Sequence, residues 1–205
     1  MKIILSDAGK RFNREWIFRH FDYQFFSSHA YAITGPNGSG KSTLLQFLAG
    51  ALMPSEGKIV YYKKNDEPTA EFYSLLSIAA PYLETIEEMT ANEFFQFHHK
   101  FKPLMSGISV SQILERVGLH EAANKQIRYY SSGMKQRVKL AQAFFSDTPV
   151  LLLDEPTTNL DSPGIALYHE LIRDYCNERL VIVSSNDALE YSFCKTIIDM
   201  KSLKS

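Results

Sequence analysis

The sequence predicts an α/β fold, and three observations lead there. Short apolar runs alternate with amphipathic stretches along most of the chain. The run Val150-Leu151-Leu152-Leu153 is apolar at every position, as a central parallel strand buried on both faces must be. A glycine-rich segment from Gly35 to Gly40 stands between a strand-like run and a helix-like one, the place where open α/β sheets carry ligand loops.

Taken in order, strands are expected at Lys2–Leu5, Trp16–Phe18, Ala30–Thr34, Lys58–Tyr62, Leu75–Ala79, Val150–Leu153, Leu180–Ser184 and Thr196–Asp199. Helices are expected to begin at Lys41, Thr90, Ser109, Ser132, Ser162 and Asp187. Thr90 with Glu93, and Ser109 with Gln112, each fit a capping box. The stretch from about Glu84 to Ile127 reads as helical and interrupts the α/β pattern. A helical subdomain is therefore placed at about 84–130 inside one domain spanning 1–205.

Composition narrows the function classes. The chain has 205 residues, 45% hydrophobic and 22% charged, which is ordinary for a globular domain and excludes disorder as the main state. A net charge of −1 gives no global pull toward nucleic acid, and no nucleic-acid partner is expected. The longest apolar runs are too short to cross a bilayer, and no leader pattern opens the chain. Cys176 and Cys194 have neither metal nor redox spacing, so two reduced thiols in a cytoplasmic protein are expected.

Gly35-Pro36-Asn37-Gly38-Ser39-Gly40-Lys41-Ser42 fits the pattern G-x-x-x-x-G-K-[ST], after a predicted strand and at the start of a predicted helix. Glycines let the backbone curl so that successive N–H groups converge on phosphate oxygens. The helix N-terminus adds partial positive charge. Lys41 is expected to reach the β- and γ-phosphates, Ser42 to place its hydroxyl on Mg²⁺, and Thr43 to contact the α-phosphate. Val150–Leu153 runs into Asp154-Glu155. A carboxylate there faces the ligand crevice, so Asp154 is expected to hold Mg²⁺ through a water, and Glu155 to orient and deprotonate the attacking water.

Two further segments carry a resemblance. Tyr130-Ser131-Ser132-Gly133-Met134-Lys135-Gln136-Arg137 resembles the signature motif of ATP-binding cassette (ABC) ATPases, and Asp154-Glu155-Pro156-Thr157-Thr158-Asn159-Leu160-Asp161 resembles their Walker B motif and D-loop. The signature departs from the common form at Tyr130, Ser132 and Met134. The likeness covers essentially the whole chain in the family's order: cradle, helical lobe, signature, acids, D-loop. It implies a P-loop NTPase fold with N-terminal antiparallel strands, a mostly parallel central sheet and an inserted helical subdomain. It also implies that Ser131, Ser132 and Gly133 form a second phosphate site, used by a second subunit that sandwiches ATP head-to-tail; a C2 homodimer or a paired ABC subunit satisfies this. A plain helix cap is the other reading of these residues. Family spacing selects Phe12 as the ring that stacks on adenine, although an exposed Phe in a basic turn needs no ligand.

The same resemblance exposes two departures. Pro81 falls where the family has a Q-loop Gln, with Glu84 nearby as a partial substitute or a simple first-turn acid. Asn186 falls where the family has a His that bonds the γ-phosphate; it can donate a hydrogen bond there or merely cap the next helix. The implied function is an ATP-hydrolysing subunit, slowed by these losses, that powers a separate transmembrane permease from the cytoplasmic side. The alternative is a nucleotide-dependent switch with little turnover. His98 and His99 are expected on a solvated face. The helical lobe, particularly Tyr82–Glu93, is expected to dock a short helix of the permease, and its aromatic residues Phe94, Phe95 and Phe97 serve either in that docking or as lobe core.

Overall fold

The computed structural model describes residues 1–203. In chain order it has β1 (Lys2–Phe12), β2 (Glu15–Phe26), β3 (Ala30–Thr34), α1 (Lys41–Leu48), β4 (Glu56–Tyr62), β5 (Pro68–Thr69) and β6 (Leu76–Ala79). The helices α2 (Ala91–Phe101), α3 (Val110–Arg116) and α4 (Ser132–Phe145) follow, and then β7 (Val150–Asp154), α5 (Ser162–Tyr175), β8 (Leu180–Ser184), α6 (Ala188–Tyr191) and β9 (Thr196–Asp199). The first sheet has the order β2-β1-β4-β5 and is antiparallel; the second, β6-β7-β8-β3-β9, is parallel throughout.

The first two strands run much further than the predicted Lys2–Leu5 and Trp16–Phe18. The register slips between Leu5 and Ala8, between Ala8 and Lys10 and between Lys10 and Arg11, with Asp7 and His20 at positive φ. These bulges break the period-two pattern, so the expected strand stops at Leu5 while the backbone pairing continues.

Alternation along β7 and β8 divides the core. Leu151, Leu153, Val181 and Val183 pack with the helical lobe, against Phe95, Ile113, Leu114 and Phe144. Val150, Leu152, Leu180 and Ile182 pack with the antiparallel sheet, against Ile3, Leu5, Phe18 and Phe47. Both faces of the parallel sheet are thus covered, which explains the uninterrupted apolar run. Both capping boxes form: Thr90 and Glu93 at α2, and Ser109 and Gln112 at α3. At the opposite edge of the sheet from the loop Gly35–Gly40, buried Arg179 donates to Phe144 O (2.8 Å), Thr148 Oγ1 (2.6 Å) and Ser77 Oγ (3.0 Å). It satisfies carbonyls at the end of α4 that no helix residue can reach.

One expectation for α2 needs correction. His98 is half-buried rather than solvated: its Nε2 lies 2.9 Å from Ser146 Oγ and its Nδ1 lies 3.1 Å from Gln142 Nε2. The helix turns it inward with Phe94, four residues earlier, onto α4. His99 is exposed, as expected, and its Nδ1 accepts from Leu104 N. Phe94 and Phe95 are core, whereas Phe97 is exposed and meets the ring of exposed Phe101 edge-on at 4.9 Å.

Burial holds His98 down, from 6.5 to about 4, with Lys102 and His99 adding repulsion. The unfolded chain therefore takes up a proton that the native state refuses. Stability from this site is complete above pH 6.5 and is lost as pH falls toward 4. Urea unfolding is expected to lose about 2 kcal/mol between pH 7 and 5 through His98. His98→Gln should flatten that slope.

Candidate functional site

Three parallel strands end together. Ile33 on β3 is opposite Ser184 on β8, and Ser184 is opposite Asp154 on β7. Whatever follows these strands must therefore meet at one edge. The loop Gly35–Gly40 follows β3, Glu155 follows β7, and Ser185-Asn186 follow β8.

The loop's curl needs its glycines: Gly35, Gly38 and Gly40 have φ of 141°, 77° and 102°. A Cβ on Gly40 would stand 2.1 Å from Ile17 Cγ2, so the loop also packs too tightly against β2 for a side chain there. Gly40 is the N-cap of α1 and offers no side-chain cap, and the first turn holds no acid. The first N–H groups of α1 thus remain available to an anion. Lys41 is 6% exposed, and its ammonium donates to Gly35 O at 2.9 Å. Ser42 and Thr43 are half-buried in the first turn.

Asp154 is 1% exposed, and neither carboxylate oxygen has a hydrogen-bond partner. Among the described residues, buried side-chain polar atoms without partners occur on Ser39, Asp154, Arg179 and Ser184. Three of the four lie at this edge, where buried polar groups are otherwise normally paired. A hard divalent cation satisfies such oxygens, so the donor set fits Mg²⁺ held by Asp154 with help from the Ser42 hydroxyl. Glu155, half-buried, has φ of 43°, and its N–H donates to Ser184 O at 2.9 Å. That strained turn directs the chain away from the strand immediately after Asp154.

Asn186 touches the loop itself. Its Oδ1 accepts from Gly35 N at 3.3 Å and its Nδ2 donates to Asn37 Oδ1 at 3.0 Å. The helix after it is capped by Asp187, whose Oδ1 accepts from Leu189 N. Sequence reasoning missed this role for Asn186 as a tie between β8 and the loop; no local pattern signals a contact so distant in sequence.

On the lobe side, Ser131 caps α4, with Oγ accepting from Met134 N at 3.2 Å. The hydroxyl keeps its own proton to donate. Ser132 is exposed in the first turn, and a Cβ on Gly133 would stand 3.0 Å from Asn159 O, so this turn lies against the segment after Glu155. Gln136, part of the signature segment but given no role from the sequence, is buried and donates to Pro156 O at 2.7 Å. Phe12 ends β1, 46% exposed, with the Lys10 ammonium 5.2 Å from its ring centre. Pro81 follows β6, and its carbonyl accepts from Lys139 Nζ at 2.9 Å. Glu84 is exposed and has Lys139 as its charged neighbour. Tyr82, expected from the sequence in the segment that docks the permease, is partly exposed and has Asp154 and Gln46 as polar neighbours; partial burial, and then the Asp154 charge, push its hydroxyl up to about 12.

Comparison with known proteins places this geometry. The family model described as ABC transporter matches residues 18–158. The chain belongs to the ABC transporter family. The ABC transporter ATP-binding protein YxlF of Bacillus subtilis is 35% identical over 97% of this chain and 67% of its own length. The cytochrome c biogenesis ATP-binding export protein CcmA of Rhizobium meliloti is 29% identical over 96% and 97%. In fold, a putative ABC transporter ATP-binding protein from Pyrococcus furiosus superposes with a TM-score of 0.83 at 18% identity, covering all of both chains. A dimeric bacterial ABC transporter cassette superposes with a TM-score of 0.76 at 24% identity, over 96% of this chain and 93% of that one. The α/β fold with an antiparallel N-terminal sheet, expected from the sequence, is thereby established for this ABC ATP-binding protein.

A buried unpaired carboxylate costs stability. Asp154→Asn is expected to make the metal-free protein about 1–2 kcal/mol more stable to urea, consistent with functional groups being held at a stability cost. If Asp154 holds the metal, Mg²⁺ added with ATP is expected to raise the unfolding temperature of the parent beyond that with ATP alone, and the same substitution is expected to abolish that Mg²⁺-dependent rise.

Proposed function

We propose that this chain is the ATP-hydrolysing subunit of an ABC transporter. What carries the reading is one juxtaposition: an uncapped helix N-terminus behind a glycine loop with Lys41, meeting a buried unpartnered carboxylate on Asp154 and the adjacent Glu155. The loop Gly35–Gly40 cradles the phosphates of ATP, led by the N–H groups of Asn37, Gly38 and Gly40, and Lys41 moves from its carbonyl partner to the β- and γ-phosphates. Thr43 contacts the α-phosphate, and Phe12 stacks on the base. Ser42 and Asp154 hold Mg²⁺, which neutralises phosphate charge when bound. Glu155 accepts a proton from the attacking water as its oxygen bonds the γ-phosphorus and the bond to the ADP oxygen breaks.

One chain supplies one cradle and one signature turn. Ser131, Ser132 and Gly133 complete the site of a second copy, or of a paired ABC subunit, facing it head-to-tail. Among the described residues, no helix is long and apolar enough to cross a membrane; this reading puts the membrane-spanning permease on a separate chain. Tyr82, Leu83, Ile86, Phe97 and Phe101 are exposed around the lobe and supply the apolar surface for a helix of that permease, on the cytoplasmic side.

One observation favours a switch with little turnover. The Asn186 amide, the candidate γ-phosphate donor, already bonds Gly35 and Asn37. Phosphate-release assays separate the two readings. For the motor, Glu155→Gln is expected to lower turnover by about 10²–10³-fold while ATP affinity by fluorescent-nucleotide titration stays within twofold. Asn186→His should raise turnover in the otherwise unchanged protein. Equal turnover of parent and Glu155→Gln would remove Glu155 as the base.

A further inference from the structure

Glu190 is a buried carboxylate that none of the chemistry above uses. It lies on α6, four residues after Asn186, and is 3% exposed. Its Oε1 accepts two short bonds from one residue, the backbone N–H of Thr157 at 2.7 Å and the Thr157 hydroxyl at 2.6 Å. Both are charge-assisted, which is what makes burying the carboxylate tolerable. The Glu190 carbonyl accepts from the hydroxyl of fully buried Tyr168 on α5, at 2.6 Å, so its own position is fixed.

Thr157 is two residues beyond Glu155, within a turn that Thr158 closes by donating its N–H to Glu155 O at 3.1 Å. Gln136 on α4 holds the intervening Pro156 by its carbonyl at 2.7 Å. Glu155 needs such support because its φ of 43° is unfavourable for a side chain larger than glycine. Without the Thr157 clamp, the backbone at Glu155 is free to relax into an ordinary conformation and swing the carboxylate away from the strand edge.

We propose that Glu190 is a positioning residue: through Thr157 it locks Glu155 in the left-handed turn that aims the carboxylate at the attacking water. It rests on Glu155 acting as the base. Because Glu190 bonds only the far side of that turn, it contributes to turnover without contributing to nucleotide binding.

The test measures kcat and KM for ATP in Glu190→Ala, Glu190→Gln and Thr157→Val, each in the parent and in a Glu155→Gln background, with circular dichroism to confirm folding. Glu190→Ala is expected to lower kcat on the order of tenfold to a hundredfold with KM within twofold. Glu190→Gln, which keeps a carbonyl oxygen for both Thr157 bonds, should return kcat to within about threefold of the parent. Thr157→Val, which loses one bond of the two, should fall between these and serves if the alanine variant does not fold. In the Glu155→Gln background all three should change the residual rate less than about twofold, since a residue that works through Glu155 has nothing left to position. An unchanged kcat, a rise in KM matching the fall in kcat, or the same loss in the Glu155→Gln background would overturn the proposal. Full turnover of Glu155→Gln alone would overturn the base reading instead, and that arm is read independently of Glu190.

Discussion

The phosphate loop, the acidic pair and Asn186 all depend on the register of three parallel strands. Ile33, Ser184 and Asp154 lie side by side on β3, β8 and β7. Both faces of that sheet are covered, so along these three strands the buried positions are apolar and the polar residues Thr34, Ser184 and Asp154 come where the strands end. The glycine loop, the acidic pair and Asn186 are the first polar elements after each strand. A slip of one residue in any strand would separate them and turn its apolar side chains to the wrong layers.

The buried polar groups divide by whether they are satisfied. Arg179 reaches five partners through its two terminal nitrogens, the carbonyls of Ala143, Phe144 and Ser146 and the hydroxyls of Ser77 and Thr148, and closes the end of α4, leaving only its Nε unpaired. Glu190 gathers two donors from Thr157. Asp154 has none, and Ser39 and Ser184 beside it share that condition. The satisfied groups hold elements together; the unsatisfied ones mark where a ligand completes the bonding.

Legibility from sequence followed the range of the interactions. The capping boxes at Thr90 and Ser109, the starts of α1 and α4, and the loop Gly35–Ser42 rest on residues a few positions apart, and all formed as read. The long bulged strands β1 and β2 were only half legible, because bulges remove the alternation that marks a strand. His98 was misread because its burial depends on Ser146 and Gln142, which approach it from another helix. Asn186 was identified as a position, but its hold on Gly35 and Asn37 comes from the pairing of β8 with β3.

The sequence by itself determined the fold class, the phosphate loop, the acidic pair and the kinship to the ABC transporter family, because each is written in contiguous residues whose chemistry is local. Only the tertiary structure decided which of those residues meet and which are braced. It left Asp154 unpaired, tied Asn186 to the loop, and set Glu190 against Thr157. Such pairings join residues far apart in sequence, and their geometry comes from strand register and helix packing, which no short segment encodes.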